Sequence, residues 1–141
     1  YSAPEVYAKH EYTTKSDVYS FGIVLWELVT KCMTGHYQRP YSEHQNLRYD
    51  FQIIIQTSQH NLRPTIPPNC PPMFVELMTK CMFWEQAFLY TDSFYEGWDA
   101  DPDKRPSFQD IIAALQKVKE LYTKERSKKK ELQNVNWINC K

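Results

Sequence analysis

Cysteines and glycines are the first residues to test for chemistry in this 141-residue chain. Cys32, Cys70, Cys81 and Cys140 stand far apart, with no Cys-x-x-Cys pair and no histidine at zinc-ligand spacing. That pattern fits reduced intracellular thiols better than a disulfide framework or a metal site. Gly22, Gly35 and Gly97 are too dispersed to form a loop whose amides could cradle a phosphate. The 17 Lys and Arg balance 17 Asp and Glu, which leaves no general electrostatic case for nucleic acid or an acidic membrane. The basic run Lys124 to Lys130 is diluted by Glu125 and followed by Glu131, so it reads as a solvated helix end. Ser2, Tyr7 and Tyr12 carry hydroxyls that could be phosphorylated, but nothing around them argues for it.

The elements that must position any site are mostly helices between proline-rich loops. A first helix starts near Thr14 or Ser16, either of which can cap it, and runs through "SDVYSFGIVLWELVT". Val18, Phe21, Ile23, Val24, Leu25, Trp26, Leu28 and Val29 cover nearly every direction around it, which predicts burial on most faces. Residues 31–47 are polar and turn-rich, a loop. "DFQIIIQT" suits a strand as well as a helix. "LRPTIPPNCPP" excludes regular structure, and Pro71 and Pro72 sit where a helix can begin. Phe74, Leu77, Met78 and Cys81 then follow at i, i+3, i+4 and i+7, one apolar helix face. A last helix opens at "SFQD", with Ser107 and Asp110 as a variant capping box. Its stripe is Phe108, Ile111, Ile112, Leu115, Val118 and Tyr122, and the charged residues beyond are expected to fray. No apolar run is long enough to span a bilayer. The chain does not open on Met, and no targeting segment is visible.

Three motifs in order, "APE" (residues 3–5), "SDVYSFGIVLWEL" (16–28) and "DPDKRPSF" (101–108), resemble the C-terminal lobe of eukaryotic protein kinases. The resemblance covers residues 1–122 as a partial kinase domain, mainly α, with 123–141 as a basic polar tail. "SDVYSFGIVLWEL" and "LRPTIPPNCP" look like the tyrosine-kinase-like group. Tyr1 ahead of "APE" is closer to serine/threonine kinases, which are therefore favoured.

The resemblance implies roles residue by residue. Tyr1, Ser2, Ala3, Pro4 and Glu5 would end the loop that receives the substrate. Glu5 would pair with Arg105, whose planar fork matches a carboxylate bidentately and keeps its proton. The bland alternative is a surface ion pair worth about 0–1 kcal/mol. Asp17 would be a buried acceptor for the catalytic-loop backbone, or simply an acid favoured at a helix N-terminus. Gly22 and Trp98 would be structural anchors beside them.

A working kinase also needs a Gly-rich loop, a strand lysine, an HRD-type loop and a DFG aspartate for Mg²⁺. None of these is found in the sequence, so no catalytic, cofactor-binding or metal-ligating residue is assigned. The N-terminal lobe and catalytic loop are expected upstream. The resemblance implies a parent enzyme using ATP and Mg²⁺ on Ser or Thr, and possibly Tyr, of protein substrates in cytoplasmic signalling. Its partners would be those substrates and the upstream part of the same chain, with no nucleic acid. The segment alone is expected to be inactive, and to be aggregated or molten with Asp17 unmet. The alternative is a pseudokinase or helical docking module without catalysis.

Sixteen residues, 82–97, interrupt this pattern. In the family a Cys-Trp pair ends the helix before the Arg-Pro motif, and deleting 82–97 joins Cys81 to Trp98 as "ELMTKCWDADPDKRPSF". Trp98 would then fall eight residues after Phe74, on the same stripe. Three readings stand open: a natural insertion extending the helix, an aromatic docking interface, or a retained intron. For the last, Cys-Met-Phe as TGT ATG TTT contains an intron start, and Glu-Gly as GAA GGT supplies an intron end that rebuilds the Cys codon.

Overall fold

The computed structural model describes residues 1–7, 11–82 and 102–138. Among the described residues, five α-helices and one 3-10 turn make up the regular structure, and no strand occurs. They are α1 (Pro4–Tyr7), α2 (Thr14–Thr34), α3 (Asp50–Gln59), α4 (Pro72–Met82), the 3-10 turn Pro102–Lys104, and α5 (Phe108–Ile138). The chain divides into two compact units, residues 1–107 and 108–141.

α2 is the centre of the first unit. Its cap is Thr13, one residue before Thr14 and three before Ser16, the two candidates from sequence: the Thr13 hydroxyl accepts from the Lys15 amide at 3.2 Å. Ser16 completes the reciprocal box by accepting from the Thr13 amide at 3.4 Å, so both hydroxyls satisfy helix-end donors. The helix runs on to Thr34, into the stretch expected as loop, and stops at Gly35, whose φ of 79° is the left-handed conformation that closes many helices.

Val18, Tyr19, Ile23, Leu25, Trp26 and Val29 of α2 are buried, as are Leu77, Met78, Cys81 and Met82 of the facing helix α4. The two helices approach closely at Gly22. A Cβ there would lie 2.9 Å from both Cys81 Cβ and Met82 Cγ, so only glycine permits this spacing. Burial of α2 is less complete than its composition suggests: Val24 and Leu28, one turn apart, remain 41% and 57% exposed.

The ambiguous "DFQIIIQT" segment is helical. Gln52 Oε1 accepts from the backbone amides of Arg48 and Tyr49 and organises the first turn of α3, which packs on α1. α4 begins at Pro72 as its prolines suggest and carries the expected face, with Leu77, Met78 and Cys81 buried. It continues through Met82, eight residues after Phe74, and Met82 is fully buried. The remainder of the 82–97 stretch, and Trp98 with it, lies outside the described residues.

In the second unit, α5 begins directly after Ser107. It does not end near Tyr122 but continues as helix to Ile138, through the charged stretch read as a tail. Phe108, Ile112 and Tyr122 of its expected stripe are exposed. No described helix is long and apolar enough to cross a membrane.

Candidate functional site: the Glu5–Arg105 clasp

The start of the chain and the 3-10 turn meet at one charged contact on the flank of α2. Arg105 Nη1 donates to Glu5 Oε1 at 2.6 Å, and Arg105 Nη2 donates to Glu5 Oε2 at 2.9 Å. This is the two-pronged geometry that a guanidinium forms with a carboxylate. The Arg105 side chain is wholly buried and the Glu5 side chain only 9% exposed, which separates this pair from a surface ion pair.

Neighbours on α2 complete the site. Arg105 Nη1 also donates to the Lys15 carbonyl at 2.9 Å, and the Ser16 hydroxyl donates to Glu5 Oε1 at 3.1 Å. Lys15 Nζ reaches across to the carbonyls of Asp103, at 3.2 Å, and Arg105, so the turn is held from both ends. The Tyr19 ring lies beneath the Arg105 guanidinium, 5.2 Å from centroid to Cζ, and Arg63 Cζ stands 5.1 Å from the same ring. Such placement over an aromatic face is attractive for a cation. Arg63 is itself buried, and donates to the carbonyls of Met82, Thr57 and Leu62.

The electrostatics follow from this packing. Burial pushes the Glu5 carboxyl pKa up, but the Arg105 hydrogen bonds, the backbone amide and Ser16 outweigh it, and the net shift is downward from 4.5. Cys81 shows the opposite balance. Burial drives its thiol up to about 12, with Arg105 pulling weakly the other way, so it is an unreactive packing residue.

The other sequence candidates fall in different places. Ala3 and Pro4 are buried beside Glu5, whereas Tyr1 and Ser2 are exposed. Tyr1 donates its hydroxyl to Glu27 Oε1 at 2.6 Å, and Tyr37 donates to the same oxygen at 2.6 Å. Gly22 sits at the α2–α4 approach. Asp17 is exposed and accepts from the Tyr12 hydroxyl. The folding penalty expected from a buried, unmet Asp17 is therefore absent.

Sequence reasoning missed Lys15, Ser16, Tyr19 and Arg63 as parts of the clasp. Ser16 and Tyr19 are three apart on one helix, the spacing that puts side chains on a common face, and this signal was available.

The described residues do not fit ATP with Mg²⁺. They contain no group of three His, Cys, Asp or Glu that could hold a metal ion. The space beside Gly22 is filled by Cys81 and Met82, and Gly35 faces open space rather than a cradle.

A family model described as protein tyrosine and serine/threonine kinase matches residues 1–88. The chain is 45% identical over 122 residues to Stress-activated protein kinase alpha of Dictyostelium discoideum, covering 86% of this chain and 17% of that protein. It is 43% identical over 129 residues to a probable serine/threonine-protein kinase of the same organism, covering 91% of this chain and 5% of that protein. A further probable serine/threonine-protein kinase is 40% identical over 139 residues, covering 99% of this chain and 7% of that protein. The chain belongs to the protein tyrosine and serine/threonine kinase family, of which it is part of a kinase domain. It spans less than a fifth of the length of these relatives.

Proposed function

We propose that this chain is the helical, substrate-side part of a protein kinase that transfers the γ-phosphate of ATP to Ser or Thr of protein substrates in cytoplasmic signalling. The upstream part of the same protein would bind ATP and Mg²⁺ and supply the catalytic loop. The observation that carries the reading is the buried clasp, which fixes residues 1–5 against α2 and the 3-10 turn. A peptide substrate must be held within a fraction of an ångström of the transferred phosphate, so the loop that receives it needs a rigid footing. Glu5 and Arg105 provide that footing without touching the reacting atoms: they are positioning residues. The naming of the relatives above as serine/threonine kinases supports Ser and Thr as acceptors.

The test compares the full-length protein with the 141-residue chain alone, each given Mg²⁺, radiolabelled ATP and peptides carrying Ser, Thr or Tyr. Label on Ser or Thr from the full-length protein, with none from the chain alone, is the expected result. A full-length protein that transfers no phosphate points to a docking module instead, and transfer by the isolated chain removes the division of labour.

A further inference from the structure

Beside α2, away from the clasp, the first unit contains a partly enclosed cavity of about 280 Å³. Its walls are mixed: Ile23 from α2, Pro40 from the following loop, and Ile53 and Ile54 from α3 are apolar, while Ser2 and Thr57 add polar groups. Two tyrosines, Tyr19 and Tyr41, also line it; they are 2% and 6% exposed, and their hydroxyl oxygens lie 3.2 Å apart. Two hydroxyls sharing one hydrogen bond use one proton between them. The second proton has no acceptor among the described residues, which is uncommon for a buried donor. Burial holds the Tyr41 phenol far above its ordinary pKa, so it stays protonated.

The backbone adds a second observation. Tyr41 has a φ of 67°, in the left-handed region that a bulky residue seldom adopts. Such strain persists where surrounding structure enforces it, often at a ligand site. Here it accompanies a side chain lining the cavity.

We propose that this cavity binds a small neutral molecule with a flat or aliphatic body and one carbonyl oxygen, which accepts the unspent tyrosine proton. The size suits a fragment rather than a nucleotide. Neutrality follows from the mouth, where Arg39 is already paired with Asp50 at 2.6 Å and offers no net charge to an ion. A charged ligand would give up hydration there with no net opposite charge in return. The cavity also borders Tyr1 and Ser2 and shares Tyr19 with the clasp, where the ring of Tyr19 lies beneath Arg105.

The experiment uses the full chain labelled with ¹³Cζ-tyrosine and two probes of nearly equal shape, acetophenone and α-methylstyrene, which replaces the carbonyl oxygen by a methylene. Acetophenone is expected to shift the Tyr19 and Tyr41 signals saturably, and to bind about tenfold more tightly than α-methylstyrene. In the double variant Tyr19→Phe with Tyr41→Phe that gap closes. Ile54→Trp, which fills the cavity and leaves both hydroxyls, abolishes binding of both probes and keeps the test decisive if the double variant does not fold. Unmoved Tyr19 and Tyr41 signals, equal affinities for the two probes, a gap that survives in the double variant, or unchanged binding to Ile54→Trp would each overturn the proposal.

Discussion

Arg105 holds both oxygens of the Glu5 carboxylate, at 2.6 and 2.9 Å, from a position a hundred residues away in sequence and almost completely removed from water. Removing the acid leaves a buried guanidinium with part of its bonding lost, a far larger penalty than losing a surface pair. Glu5→Gln is expected to lower unfolding stability by about 3 kcal/mol in urea titration, and Arg105→Lys, which keeps the charge but loses the fork, by less. A change below about 0.5 kcal/mol for Glu5→Gln would place the pair among ordinary surface contacts.

Acid should loosen the clasp. The Glu5 carboxyl is more acidic in the folded chain than its ordinary 4.5, so it contributes stability above that value and loses it as pH falls through the lower folded-state pKa. Thermal melts of the wild type should therefore show a destabilisation below pH 4.5 that is smaller in Glu5→Gln. Parallel curves for the two proteins in that range would contradict the assignment.

Gly22→Ala tests the close approach of α2 and α4. Alanine favours helix over glycine by about 1 kcal/mol, yet the added methyl would stand 2.9 Å from Cys81 Cβ, which is fixed close to its own backbone. Overpacking should win, with a net loss of about 1–2 kcal/mol. Met82→Ala removes only one of the two obstacles, so the pair of changes should be less than additive. A stabilised Gly22→Ala protein would show that the helices can part freely.

Thiol labelling offers a check on burial. Cys32 is exposed, whereas Cys81 is buried with its pKa at about 12. Under iodoacetamide at pH 8, peptide mass mapping should find Cys32 modified promptly and Cys81 modified only when urea unfolds the chain. Similar rates at the two positions in native conditions would mean that the α2–α4 core opens readily.

Much of this architecture was legible in the residues because local signals agreed with each other. The i, i+3, i+4, i+7 face of α4 and the prolines before it mark the helix and its start. The fate of "DFQIIIQT" was not legible, since three isoleucines suit either structure. What settles it is the Gln52 side chain capping its own first turn, a short-range hydrogen bond that periodicity does not report. Asp17 lies exposed in the first turn of α2, where the residues alone allowed a helix-end acid and only the family resemblance implied a buried acceptor. The meeting of Glu5 and Arg105 was reachable only through the motifs, for nothing in either local stretch specifies a partner so distant.

The span between Glu5 and Arg105 bears on the sixteen residues at 82–97 that the chain must accommodate. Closing a chain on itself costs conformational entropy that grows only with the logarithm of the enclosed length. Lengthening the enclosed segment from 84 to 100 residues adds about 0.2 kcal/mol by that scaling. Flexible extra length between the two partners is thus nearly neutral for the clasp. The clasp therefore exerts almost no entropic pressure against the insert, and any selection for or against those residues must act through what they touch.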